Sequence, residues 1–387
     1  MDTVTRHAAR AWLRAAVLLL VVGIPLGLAT APHLAAQEDE EQKDDQSRIV
    51  PTNHAVLTGY GTAGWFYRSD DVNAFTASFN PIFLYQFLDR FLFEVEFEFE
   101  LQGGVTETGL EYAQLDYVAT DNLTLVAGKF LLPFNVFGER LHPTWINKFP
   151  TAPPIYGHHV ADFGAEPLLP ILSDVGVMAR ASVAPGRWLL SANVYGVQGP
   201  AIEEHEEEEG GDDEHDEELP EIGFPGSSSD NNKNKALGVR LDFMLPPWVE
   251  VNFSFFNGDY DDEGVLDFTA YGVAAEMRKG SFEARGEFIQ TRQEIETQTG
   301  FPSVVRNGFY AQAAYLLGSW EPLFRWTQIF DTELEGEKED DGARQAAFGL
   351  DYWFSPSIAL MVGYELNKEN GLELDNNRFI IHVAFGF

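Results

Sequence analysis

After residue 36 the chain holds no apolar run long enough to cross a membrane as a helix, yet it repeatedly alternates large apolar residues with polar ones. Phe91 to Leu101 reads FLFEVEFEFEL, which puts Phe93, Val95, Phe97 and Phe99 on one face of a strand and Glu94, Glu96, Glu98 and Glu100 on the other. The last ten residues repeat the pattern, with Phe379, Ile381, Val383, Phe385 and Phe387 against Arg378, Ile380, His382, Ala384 and Gly386. A soluble sandwich would not turn so many aromatics outward. Lipid offers no partners to backbone groups, so strands that face it must close into a barrel. The expected fold is therefore all-β, a transmembrane antiparallel up-and-down barrel.

The same alternation predicts strands at 54–68, 74–87, 91–102, 109–119, 122–131, 172–184, 187–198, 236–244, 248–257, 267–279, 282–290, 305–317, 320–329, 343–354, 358–367 and 377–387, about 16 in all. Every second connection is short and built from turn residues, such as Leu88-Asp89-Arg90, Thr120-Asp121, Pro185-Gly186 and Lys279-Gly280-Ser281. The others read as longer and polar, the asymmetry of periplasmic turns and external loops. An even count leaves both ends of the barrel on the periplasmic side.

The first 36 residues read as a secretory signal: Arg6, Arg10 and Arg14, an apolar stretch from Ala15 to Leu28, and small residues at Ala35-Ala36 before Gln37. Pro25 and two glycines interrupt a stretch already short for a membrane anchor. Residues 37–53 are expected to be an acidic periplasmic tail and 54–387 the barrel. The expected location is the outer membrane of a Gram-negative-type bacterium. The chain has no cysteine, which fits an exported barrel and excludes a lipoprotein. A formal charge of -36 excludes a nucleic-acid binder.

Two external loops stand out. Residues 132–171 are rich in proline and apolar residues, unlike a free external loop, and the barrel wall is available to receive them. The expectation is an inserted third loop that narrows the pore; an external lid or an oligomer contact is the other reading. Residues 199–235 form an acidic external loop, and 12 of the 16 residues of Glu203–Glu218 are acidic. Such density suits a solvated segment. With His205, His215, Glu206, Asp213 and Asp216 it also suits weak, multi-site capture of divalent cations, or bridging to lipopolysaccharide through them. No other cofactor is expected.

Alternation also sketches a lumen. It places inward the acids Glu94, Glu96, Glu98, Glu100, Asp116, Asp174, Asp242, Glu250, Glu276, Glu283, Glu287 and Glu365, and the bases Arg180, Arg240, Arg278, Arg285, Arg325 and Arg378. An acidic wall facing a basic one would orient polar solutes. Alternatively the charges pair across neighbouring strands and hold the barrel's shape; Arg278 with Glu276, and Arg285 with Glu283 and Glu287, look structural in this sense. The Glu94–Glu100 row reads as pore lining.

Gly128-Lys129-Phe130-Leu131-Leu132-Pro133-Phe134, which ends the fifth strand, is similar to the Gly-basic-Phe-x-x-Pro-Phe stretch of phosphate-selective porins of the O/P type. The C-terminal Phe387 resembles the terminal aromatic that bacterial outer-membrane proteins present to the barrel-assembly machinery. The resemblance implies a porin of 16 strands, a homotrimer, and basic residues at the constriction, which at the matching positions are Lys129, Arg140 and Lys148. The combined expectation is passive diffusion of small ions or polar solutes, with Glu94, Glu96, Glu98, Glu100, Lys129, Arg140, Arg180, Arg240, Arg325 and Arg378 lining the pore. A non-conducting barrel that binds divalent metal or a surface partner through 203–218 is the alternative. An enzyme is not expected: there is no Gly-x-Ser-x-Gly and no His-Glu-x-x-His, and Ser355 and His382 are too far apart in sequence to suggest a pair.

Overall fold

The computed structural model describes residues 53–102, 105–157, 162–202, 220, 222–226, 232–297 and 300–387. By contacts the barrel is one unit, His54–Gln86 with Arg90–Phe387, and the Phe87–Asp89 turn falls outside it. Sixteen long strands make the barrel. They are β1 (His54–Arg68), β2 (Asn73–Phe87), β3 (Phe91–Gln102), β4 (Val105–Thr120), β5 (Leu123–Leu131), β6 (Ser173–Val183), β7 (Leu189–Val197) and β8 (Ala236–Leu245). Then come β9 (Val249–Asp259), β10 (Asp267–Lys279), β11 (Phe282–Glu294), β12 (Ser303–Tyr315), β13 (Trp320–Ile329), β14 (Ala343–Ser355), β15 (Ile358–Glu369) and β16 (Arg378–Gly386). Each pairs with its neighbours in sequence, and β1 pairs antiparallel with β16, Tyr60 opposite Gly386, so the sheet has no edge. Two-residue ribbons, Glu333–Leu334 with Glu337–Lys338 and Ala201–Ile202 with Ile222–Gly223, decorate the long connections.

The period-two pattern decides which face each residue takes. Phe75, Phe79, Phe93, Phe97, Phe99, Phe253, Phe324 and Phe348 are exposed, and the polar residues between them face in. This is the inverse of a soluble protein and the arrangement lipid requires. Exposed Trp188, Trp248, Tyr315, Trp320 and Phe354 lie beside the short turns, as an interfacial girdle would. No helix among the described residues is long and apolar enough to cross a membrane. All sixteen expected strands are present. The largest differences are that β4 begins at Val105, not 109, and β11 runs on to Glu294, not 290. The expected contrast of long and short connections fails in two places: β1 and β2 are joined by 69–72, and β3 and β4 by 103–104 alone. Val105 to Thr108 continue the β3 pairing, so what reads as polar loop is strand.

A β-bulge in β4 changes the parity. Glu96 pairs with Tyr112 and Phe97 with Leu110, so Glu111 is the extra residue. Residues on either side of it therefore obey opposite alternations.

The connection between β5 and β6, 132–172, carries a π-helical turn, Phe137–Leu141, and a short helix, α1 (Thr144–Asn147). Pro143 precedes α1, and Lys148 closes it in the left-handed region, with φ 62°.

Candidate functional site

The apolar residues of 132–172 explain themselves by where they lie. Phe134, Phe137, Leu141, Ile155, Phe163 and Leu169 belong to one buried cluster with Tyr195 of β7, Phe256 of β9, Ile289 of β11, Tyr310 of β12 and Ile329 of β13. Those wall residues alternate with lipid-facing ones, so the cluster fills the inner side of β5 to β14. The Phe137 ring stacks on Tyr156 at 5.1 Å and meets Tyr310 edge-on at 6.3 Å. Small residues make room: Ala270, Gly272 and Ala274 form an inward row on β10. A Cβ at Gly272 would stand 2.2 Å from Asn135 Oδ1, so only glycine admits the loop there.

Inward charges then fasten the loop. The Val136 and Phe137 amides donate to Glu287 at 3.2 and 2.9 Å, and the Tyr156 hydroxyl donates to its other oxygen at 2.5 Å. Lys148 bridges Glu283 and Glu321 at 2.9 and 3.0 Å. Arg285 and Gln312 both donate to the Asn147 carbonyl. Arg325 donates to the Thr151 carbonyl at 2.7 Å, lies 4.3 Å over the Phe149 ring, and pairs with Glu365 at 3.3 Å. Asp162 receives Arg378 at 2.7 Å and Arg68 at 2.8 Å. Wall charges of this kind, which read from sequence as lining or as cross-strand pairs, are joined to the loop. Glu287 in particular accepts from loop groups, while Arg285 and Glu283 stand 3.8 Å apart.

Three expected lining residues do come together. Arg140, Arg180 and Arg240 line one cavity of about 400 Å³ that reaches the Thr120-Asp121-Asn122 turn. Each has acids against it. Arg140 pairs with Glu250, Arg180 with Asp116 at 3.5 Å and Glu139 at 3.6 Å, and Arg240 with Asp242 at 2.9 Å and Glu139 at 2.5 Å. Arg140 and Arg180 keep about a third of their side chains exposed, at 37% and 33%, whereas Arg240 keeps 6%. The first two are therefore the bases that this cavity exposes.

Across from the filled side, β3 and β4 present acids. Glu94, Glu98 and Glu100 are partly exposed, and Glu96 is buried. The charges of Glu96, Glu98 and Glu111 act on one another, which places Glu111 in the same group. Simple alternation along β4 gives Asp116 but misses Glu111, because the bulge resets the count. On the facing loop, His142 Nδ1 lies 2.7 Å from the Gly138 carbonyl and Nε2 lies 3.1 Å from the Tyr60 hydroxyl. Burial pushes the His142 pKa down to about 4, against the hydrogen bond to Gly138. The neutral ring therefore donates from Nδ1 and accepts the Tyr60 proton at Nε2.

The remaining expected residues are placed differently. Arg325 has no exposed surface, and Arg378 is clamped between Glu365 and Asp162; both lie under the loop and not on an open lumen. Lys129 pairs in register with Ala113 and Val175, on the face of the exposed Leu125 and Val177, and not on that of Val126 and Phe130. By register the GKFLLPF stretch puts Phe130 on the inward row and Lys129 on the alternate one, but the Lys129 ammonium lies against Gly226 and its charge acts on Glu111. His205, Glu206, Asp213, His215 and Asp216 lie outside the described residues, as do His158, His159 and residues 1–52. Among the described residues no group of three or more His, Asp or Glu is arranged to hold a metal ion.

No protein-family model matches the chain, and no curated protein matches it. Solved structures do. The outer membrane channel DcaP of Acinetobacter baumannii shares 12% identity with a TM-score of 0.56, covering 87% of this chain and 97% of that one. OmpF of Salmonella typhi, solved in complex with daunomycin, gives 12% and 0.56 over 87% and 98%. An anion-selective porin from Comamonas acidovorans gives 11% and 0.55 over 87% and 100%. The fold is that of the bacterial outer-membrane porins. At such identities the likeness is one of architecture, and selectivity must be argued from the chain's own lumen.

Proposed function

We propose that this barrel is an outer-membrane channel for passive diffusion of small ions and polar solutes, narrowed by 132–171 and favouring cations. One observation carries the reading. The apolar part of the loop fills the β5–β14 side, while the β3–β4 side keeps Glu94, Glu98 and Glu100 partly exposed. A water-filled path then runs past carboxylates, with the Arg140–Arg180 cavity adjoining it. Most wall bases are held by acids or by loop carbonyls, so their fields are largely cancelled at the path. Phosphate selectivity, which the GKFLLPF resemblance implies, is not favoured, because the Lys129 charge is set against Glu111 and Lys148 is bound by Glu283 and Glu321. Assembly as a homotrimer and recognition of Phe387 by the assembly machinery belong to the same proposal.

The test is single-channel recording of the refolded full chain in a planar bilayer under a KCl gradient. Stable steps with a reversal potential on the K⁺ side are expected. Correctly folded protein without conductance, or with Cl⁻ preference, overturns the reading.

A further inference from the structure

Two pairs of strands set a base opposite a base, and the barrel treats the two pairs differently. Arg68 on β1 lies opposite Arg378 on β16, facing inward, and Asp162 of the loop joins them at 2.8 and 2.7 Å. Arg344 on β14 lies opposite Lys368 on β15. Alternation puts both on the face of the exposed Phe348, Leu350, Tyr364 and Leu366, away from the lumen. Like charges directly opposite in a sheet are unfavourable. Lys368 has Glu373 at 2.9 Å, but both side chains of that pair are more than half exposed, so it is worth little. Arg344 is exposed and has no ion pair among the described residues. No acid there joins the two bases as Asp162 joins Arg68 and Arg378.

Their height identifies the medium they meet. Exposed Phe354 lies beside the short turn that joins β14 to β15 and marks one edge of the apolar band. Arg344 stands ten residues along β14 from Phe354, and Lys368 stands ten along β15 from Ile358. Ten residues of strand tilted by about 40° rise about 25 Å, the height of the apolar band on such barrels. The pair therefore sits at the headgroup level of the opposite leaflet. Its neighbours are the long connections, which in outer-membrane barrels face outside. Below it the Phe324 and Phe348 rings meet at 5.2 Å, with Tyr364 opposite Phe348, and offer acyl chains an apolar surface.

We propose that Arg344 and Lys368 form a docking clasp for a phosphate of lipid A, the phosphorylated glycolipid of the outer leaflet. The inference goes beyond the channel reading and does not depend on conductance. A phosphate supplies the anion that the two bases lack. It takes the planar fork of Arg344 through two oxygens and leaves a third for the Lys368 ammonium. The acyl chains of the same molecule then lie on the aromatic surface below, so charge and apolar contact act on one ligand. A free phosphate gains only the first of these, and a zwitterionic headgroup brings its own ammonium to the same oxygens.

The test uses the full-length protein folded in detergent, titrated with bisphosphorylated lipid A and read by native mass spectrometry. Phosphatidylglycerol and inorganic phosphate are the competitors. Retention of lipid A in the presence of either competitor at equal concentration is expected. The double variant Arg344→Gln, Lys368→Gln should weaken retention about tenfold. Arg292→Gln is the control: Arg292 is an exposed base on the lipid face of β11, but its cross-strand neighbours are Thr269 and Val305, so its loss should matter less than about twofold. All three side chains lie outside the barrel, and unchanged heat-modifiability checks that each variant folds. Unchanged retention in the double variant, an equal loss in Arg292→Gln, or displacement by phosphatidylglycerol or phosphate overturns the assignment. The same preparations are recorded in bilayers. Conductance without lipid A retention removes the clasp and leaves the channel, whereas retention without conductance removes the channel and leaves the clasp.

Discussion

Neutralising the acidic wall should change selectivity by an amount that can be worked out. The variant carries Glu94→Gln, Glu98→Gln and Glu111→Gln together, none of which hydrogen-bonds the loop in the contacts described above. For an ion passing about 8 Å from each carboxylate, one unit charge in water contributes about 0.5 kcal/mol. A Debye length of about 10 Å at 0.1 M salt reduces this to about 0.2 kcal/mol. The same charge attracts K⁺ and repels Cl⁻, so each carboxylate separates the two by about 0.4 kcal/mol, about a factor of two. Removing three should lower the K⁺/Cl⁻ permeability ratio about eightfold at 0.1 M, and by less at 1 M as screening tightens. The assay is reversal potential in a KCl gradient at both ionic strengths. A ratio that does not move at either would mean that ions do not pass the β3–β4 wall, and the assignment of the open path would fall.

Other outcomes follow from the same geometry. Phe137→Ala removes a fully buried ring from the loop's cluster and should cost about 3–5 kcal/mol, read as a lower transition temperature in heat-modifiability electrophoresis; an unshifted transition would show that the loop is not part of the core. Deleting Glu203–Glu218 should leave conductance in place, whereas a metal-binding receptor would lose its ligand with it. His142 should make stability fall as pH drops from about 6.5 toward about 4: burial holds its folded pKa at about 4, so the unfolded chain takes up the proton first. His142→Asn should flatten that slope, and an identical slope in the variant would refute a buried neutral imidazole.

The fold was legible because lipid and lumen impose opposite demands on alternate residues. FLFEVEFEFEL states its own register, and the turn residues mark where each hairpin ends. What alternation cannot register is an extra residue. Glu111 sits one position from Tyr112, and only the pairing of Glu96 with Tyr112 and Phe97 with Leu110 shows that the count restarts there. The apolar character of 132–171 correctly signalled a packed segment. Its docking face had a signal too, in the small inward residues Ala270, Gly272 and Ala274, which make sense only if something large lies against them. The resemblance that singles out Lys129 carries no register, and in β5 it is Phe130 that takes the inward face.

Counting inward charges is a poor guide to selectivity in a barrel of this kind, because a charge that holds a loop is no longer available to a solute. Arg325 shows the limit. It faces inward on β13, yet Phe149, the Thr151 carbonyl and Glu365 surround it completely. Its charge is matched within the protein, and its removal would leave Glu365 buried with one base fewer, Arg378 alone at 2.8 Å. Glu321 is the acidic counterpart, bound by Lys148 and by the Trp353 indole at 2.8 Å. The charges that remain for traffic are the acids of β3 and β4 that the loop does not cover, beside the part-exposed Arg140 and Arg180. A net formal charge of -36 says little about the path by itself, since many of those acids lie in Glu203–Glu218 and the external connections. The sign of the path follows from which wall the loop covers: had the apolar segment docked on β3 and β4, the same composition would have left arginines facing the solute.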